Sequence, residues 1–125
     1  MGATEKLLKK LFDIATEDSY GRNYEPTRSV YIIEVENLVT ESNWDYYVGM
    51  TGKSIEQRFK EHVEGYHAWK KFDKGYCKPV RLDYALCSTF PKFHTEAAAK
   101  QAEGEVARAL RDSGYEVYSD MLEND

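Results

Sequence analysis

An α+β domain, with a small sheet flanked by helices and an extra amphipathic helix in front, is the fold class that this 125-residue sequence predicts. Three observations predict it. Short Val, Ile and Tyr runs with strand character lie between polar loops. Longer stretches repeat their apolar residues with a helical period. Glycine, proline and capping residues punctuate the boundaries where one pattern gives way to the next.

Thr4 to Thr16 opens the order, with Leu7, Leu8, Leu11, Phe12 and Ala15 at helical spacing. A polar linker from Glu17 to Arg28 follows, turned by Gly21, Asn23 and Pro26, so residues 1–28 form a leading helix and its linker. Ser29 to Val35 and Trp44 to Gly49 read as strands that pair as an antiparallel hairpin across the loop Glu36 to Asn43. Ser54-Ile55-Glu56-Gln57 is a capping box and starts a helix running to about Glu64. A shorter helix is predicted over Tyr66 to Phe72 and a third strand over Pro79 to Cys87. An Ala-rich helix runs from Thr95 to Ser113, closed by Gly114, with room for a short strand at Tyr115 to Tyr118. Residues 121–125 form an acidic tail.

Composition excludes several classes. Cys77 and Cys87 stand ten apart with no CxxC, which supports neither a zinc knuckle nor a disulfide framework and fits reduced thiols in a cytoplasmic protein. No apolar run approaches the roughly 20 residues of a membrane span. The net charge of −5 argues against a generic polyanion binder, yet the charges segregate. Lys53 to Arg81 holds eight basic residues against four acidic ones and is the only positive third of the chain.

Helical geometry sorts the side chains. At about 100° per residue, Ile55, Phe59 and Val63 form the inner seam of the central helix, with His62 beside it and Arg58 at its edge. Glu56, Lys60, Glu61 and Glu64 turn outward. On the later helix, Ala99, Ala102, Val106, Ala107 and Leu110 share one apolar face, and Glu103 sits in its middle. A carboxylate among small apolar residues needs a cation, an arginine or a metal as partner. A structural salt bridge to a core arginine is the plainer account of the same residue.

The ordered set Ser29-Val30-Tyr31, Tyr47-Val48-Gly49, Arg58, His62 and Glu103 resembles the GIY-YIG nuclease family, over about Ser29 to Tyr118. That resemblance implies a nuclease-like domain over residues 29–120 with a three-stranded antiparallel sheet, cleaving DNA phosphodiesters with one divalent metal, Mg²⁺ or Mn²⁺. It assigns Tyr31 to activation of the attacking water and Tyr47 to a position beside the phosphate. Arg58 would stabilise developing charge, His62 would hydrogen-bond a tyrosine or the phosphate, and Glu103 would bind the metal. Gly49, Lys53, Lys60, Lys70 and Lys71 are the expected phosphate and DNA contacts. Ser29 departs from the first glycine of the motif, and Tyr118-Ser119-Asp120 lies where many members carry an asparagine. So little surface for base readout leaves targeting to low specificity, a protein partner or a dimer mate. The rival is a catalytically silent nucleic-acid or protein interaction module on the same scaffold, and a purely structural domain is the third reading.

Overall fold

A computed structural model describes residues 2–122; residues 123–125 of the expected acidic tail lie outside the described residues. In chain order the elements are α1 (Ala3–Ser19), β1 (Ser29–Asn37), β2 (Tyr46–Thr51), α2 (Ile55–Glu64), α3 (Lys70–Asp73), β3 (Cys77–Leu82), α4 (Tyr84–Cys87), α5 (Glu96–Asp112) and β4 (Val117–Tyr118). The class is α+β, as the pattern predicts.

The sheet corrects the prediction in one respect. It has four strands in the order β3-β1-β2-β4, and β4 runs parallel to β2 through Tyr46↔Val117 and Tyr47↔Tyr118. The short strand read over Tyr115 to Tyr118 is present as β4, but two residues carry no pattern that fixes its partner or its direction. The antiparallel hairpin is present, with Tyr31 opposite Gly49 and Ile33 opposite Tyr47. Central position explains why Val30, Tyr31, Ile32 and Ile33 are all buried: β1 has strands on both sides and is covered on both faces.

Two predicted elements move. The third strand ends at Leu82 rather than Cys87, because Asp83 accepts from the Leu86 N–H at 3.4 Å and caps the helical turn of α4. That turn brings the Cys87 thiol to the β1 backbone, where Ile32 N–H donates to Sγ at 3.0 Å. Pro79 is tolerated because β3 is an edge strand. The short helix predicted over Tyr66 to Phe72 is displaced to Lys70–Asp73, since Gly65 ends α2 in the left-handed region (φ 80°) and His67 follows at φ 46°. Both cysteines are free and buried.

Helix α1 packs Leu7 and Leu11 against α5, while Phe12, expected on that face, is exposed. Asp18 fastens the end of α1 to the start of α5, accepting from Thr95 Oγ1 at 2.8 Å and from the His94 backbone N–H at 2.6 Å. Thr95 in turn caps α5 through Ala98 N–H at 3.1 Å. This positions the Ala-rich face of α5 against the sheet, with Ala99, Ala102, Val106 and Ala107 fully buried. No helix of the described residues is long and apolar enough to cross a membrane.

Candidate active site

Strand pairing puts the first site residues together. Tyr31 and Gly49 are cross-strand partners, and Tyr47 lies two residues along β2 from Gly49, so all three project from one face. The Tyr31 phenol lies directly over Gly49: a Cβ there would stand 2.5 Å from Oη and 2.7 Å from Cζ. Glycine is thus required by the tyrosine rather than by an approaching substrate. The two phenol rings are 6.2 Å apart.

Helix α2 delivers the next pair from above. His62 is 1% exposed, and its Nε2 is 2.9 Å from Tyr31 Oη. Its Nδ1 accepts the Trp69 backbone N–H at 3.4 Å, which leaves the ring proton on Nε2, donated to Tyr31. Burial, and then the nearby Arg58 charge, lower the His62 pKa to about 4, so the imidazole is neutral near pH 7.

Arg58 is held from three sides. It donates to Glu61 Oε1 at 3.2 Å, to the Tyr66 carbonyl at 3.2 Å and to the His67 carbonyl at 2.7 Å. Its positive charge also acts on Tyr31, favouring the phenolate. The left-handed backbone at His67 is the conformation that aims its carbonyl at Arg58. Glu61, predicted to turn outward, is instead buried between Arg58 and Lys53 and bonded to both. Val63, predicted to face inward, is exposed. The ion pairs account for the exchange: Lys53 and Arg58 offset the cost of burying the Glu61 carboxylate.

The phenols differ in their neighbours. Burial raises Tyr31 to about 12, against the pull of Arg58, which favours the phenolate. Burial also raises Tyr47, and there the adjoining Tyr31, Asp120 and Glu103 push in the same direction. Arg58 thus favours the phenolate of Tyr31, and no cation does the same among the named neighbours of Tyr47. Tyr47 stacks on Tyr118 at 5.8 Å, its register partner on β4, and contacts Trp69 at 5.3 Å.

Glu103 arrives from α5, 4% exposed, and accepts from the Ser119 hydroxyl. Burial raises its carboxyl to about 7, with Asp120 adding to the rise and Ser119 opposing it. Its charge is felt at both phenols. Among the described residues no ion pair reaches it, and no group of three or more His, Cys, Asp or Glu side chains suits a metal. A buried carboxylate with no cation fits a divalent ion held by one protein oxygen, the remaining ligands being water and phosphate.

Of the other predicted contacts, Lys53 reaches the site through Glu61, whereas Lys60 pairs with Glu64 at 3.8 Å on the outer face of α2. Lys70 and Lys71 are exposed on α3, with the Lys71 ammonium 5.3 Å from the Tyr76 ring centre. Sequence reasoning missed Glu61 and Ser119. The Arg58/Glu61 spacing of three was a usable signal for the first; Ser119 lies beyond any periodic segment and had none.

Fold and site together define a class: a small α+β domain that gathers two phenols, an arginine, a neutral histidine and a carboxyl. A family model described as the GIY-YIG catalytic domain matches residues 28–116, more than two thirds of the chain, and the chain belongs to that family. The family consists generally of endonucleases that act on DNA, typically with divalent metals. No curated protein and no solved structure matches the chain.

Proposed function

We propose that this protein is a metal-dependent endonuclease that hydrolyses DNA phosphodiester bonds by in-line attack of water on phosphorus. The observation that supports the reading is the gathering around Tyr31 of His62, 2.9 Å from its Oη, and of Arg58, whose charge favours the phenolate, with the buried Glu103 carboxyl, bonded to Ser119, acting on both phenols. Glu103 would hold Mg²⁺ or Mn²⁺, which when bound supplies a Lewis acid for the phosphoryl oxygen and a more acidic water.

Tyr31 is the proton acceptor in this scheme. The Tyr31 phenol first loses its own proton to bulk water; the phenolate, which accepts from His62 Nε2–H and is favoured by the Arg58 charge, then takes the proton that the attacking water gives up. His62, being neutral, fixes the phenol without cancelling the charge that Arg58 brings. Arg58 stabilises the charge that develops on the transferred phosphoryl group, a task suited to a planar guanidinium fixed before the reaction begins. Tyr47, without a cation of its own, keeps its proton and serves as a hydrogen-bond donor toward Tyr31 or phosphate.

One observation favours the silent interaction module: Tyr31 is 1% exposed and Arg58 is engaged by Glu61 and two carbonyls. Supercoiled plasmid separates the two readings. Nicking in Mg²⁺ or Mn²⁺ is expected, with loss of at least about 100-fold for Glu103→Ala and for Arg58→Ala at retained fold by circular dichroism. Full metal-dependent cleavage by both variants would overturn the assignment of the site.

A further inference from the structure

Beside the candidate site, the β1–β2 loop and α3 enclose a groove of about 330 Å³ lined by Val39, Glu41, Ser42, Trp44, Lys71 and Tyr76. That volume is at the lower end of small-molecule pockets, ample for one planar heterocycle. Two walls are aromatic, Trp44 and a 40% exposed Tyr76, and Val39 adds an exposed apolar side chain.

Packed rings connect the Trp44 wall of the groove to Tyr47. Trp44 meets Tyr118 edge to face at 5.7 Å, and Tyr118 stacks on Tyr47 at 5.8 Å, so the ring centres of Trp44 and Tyr47 are no more than about 12 Å apart. At about 3.4 Å per stacked nucleotide, that is a reach of roughly three nucleotides or fewer.

Charge selects the occupant. One wall of the groove, Lys71 and Tyr76, comes from the basic segment Lys53 to Arg81, where Lys70 and Lys74 are close in sequence; the other wall, from the β1–β2 loop, carries Glu41. Lys71 itself sits over the Tyr76 ring. Aromatic walls with lysines alongside are the combination that receives a base while its phosphates stay outside, whereas a base inside a duplex offers no ring face to them. Glu41 within the groove repels phosphate and can accept from a base N–H.

We infer that this groove binds an unpaired DNA base a few nucleotides from the scissile phosphate, so that the enzyme favours DNA with a single-stranded segment at the cut. The inference rests on the nuclease reading for its substrate, but its test does not depend on cleavage. Fluorescence anisotropy with a labelled oligothymidylate of about 12 nucleotides, in EDTA, measures binding to a single strand; a blunt duplex of equal length is the comparison.

Tyr76→Ala is expected to weaken single-strand binding roughly 5- to 150-fold, from about 1–3 kcal/mol of stacking per base. Tyr76→Phe, which keeps the ring, retains it, and duplex binding stays within twofold for both. Lys71→Gln lowers the salt slope for the single strand by about one. Unchanged single-strand affinity for Tyr76→Ala, an equal loss on duplex, or no binding of any oligonucleotide overturns the inference. A chain that binds single strands through Tyr76 yet never cuts with Mg²⁺ refutes the nuclease reading alone. One that cuts while Tyr76→Ala binds as before refutes the groove alone.

Discussion

Glu103→Gln tests the electrostatics of the site without any substrate. Glu103 is raised from 4.5 to about 7 by burial, and His62 is lowered from 6.5 to about 4 by burial and Arg58. Each shift of about 2.5 units corresponds to about 3 kcal/mol between the protonation states. The signs are opposite. Between about pH 4.5 and 7 the folded chain keeps a Glu103 proton that the unfolded chain has lost, so stability falls as pH rises. Between about pH 4 and 6.5 the unfolded chain keeps a His62 proton that the folded chain lacks, so stability rises as pH rises. From pH 5 to 6.5 the two slopes cancel and together contribute almost nothing to the stability profile. Neither group is among the causes of the other's shift, so the contributions add. Glu103→Gln should therefore expose the histidine, gaining about 1.5 kcal/mol of stability from pH 5 to 6.5 relative to the unsubstituted chain's trend. His62→Gln should lose about the same amount over that interval, and the double variant should again follow the original trend. Urea unfolding in EDTA at half-unit pH steps reads all four profiles. If Glu103→Gln runs parallel to the unsubstituted chain, burial does not hold the Glu103 carboxyl in its acid form near neutrality.

Gly49→Ala places a methyl against the Tyr31 phenol, so we expect a destabilisation of about 1–3 kcal/mol together with a fall in nicking rate; unfolding as stable as the original would disprove the close packing. Glu61→Gln removes the charge that fixes Arg58 while keeping the shape, and is expected to lower kcat about 10- to 100-fold with KM within about twofold. A rise in KM at constant kcat would instead make Glu61 part of the DNA surface, and the charge-conserving Glu61→Asp should recover some of the loss only if positioning is its role.

The residues most readily found in sequence were those whose reason for existing is local. Helical period alone placed Glu103 inside an alanine face, and it is buried there because that face packs on the sheet. The same period set Arg58 and His62 on one side of α2, and a strand pattern of two put Tyr31 and Tyr47 within one hairpin. Where the reading failed, ion pairing or the course of the chain overrode the apolar period. Glu61 is outward by period but inward by charge, since Lys53 and Arg58 repay its burial. The strand expected at Tyr115 to Tyr118 forms, but its parallel pairing with β2 depends on where α5 returns the chain, which two residues cannot announce.

Ser119 joins these two kinds of information. It follows directly on β4, so its hydroxyl reaches Glu103 only because the parallel pairing of Tyr47 with Tyr118 sets the register of the returning chain. The departure from the motif at Tyr118-Ser119-Asp120 thus lies at the site itself: Tyr118 stacks on a site phenol, Ser119 bonds the buried carboxyl, and Asp120 raises its pKa. A segment that appears in sequence as a missing asparagine is, in space, the wall that holds Tyr47 and Glu103 in relation to each other. Residues that hold two side chains from different elements are set by the geometry between them, and no pattern along a single element records it.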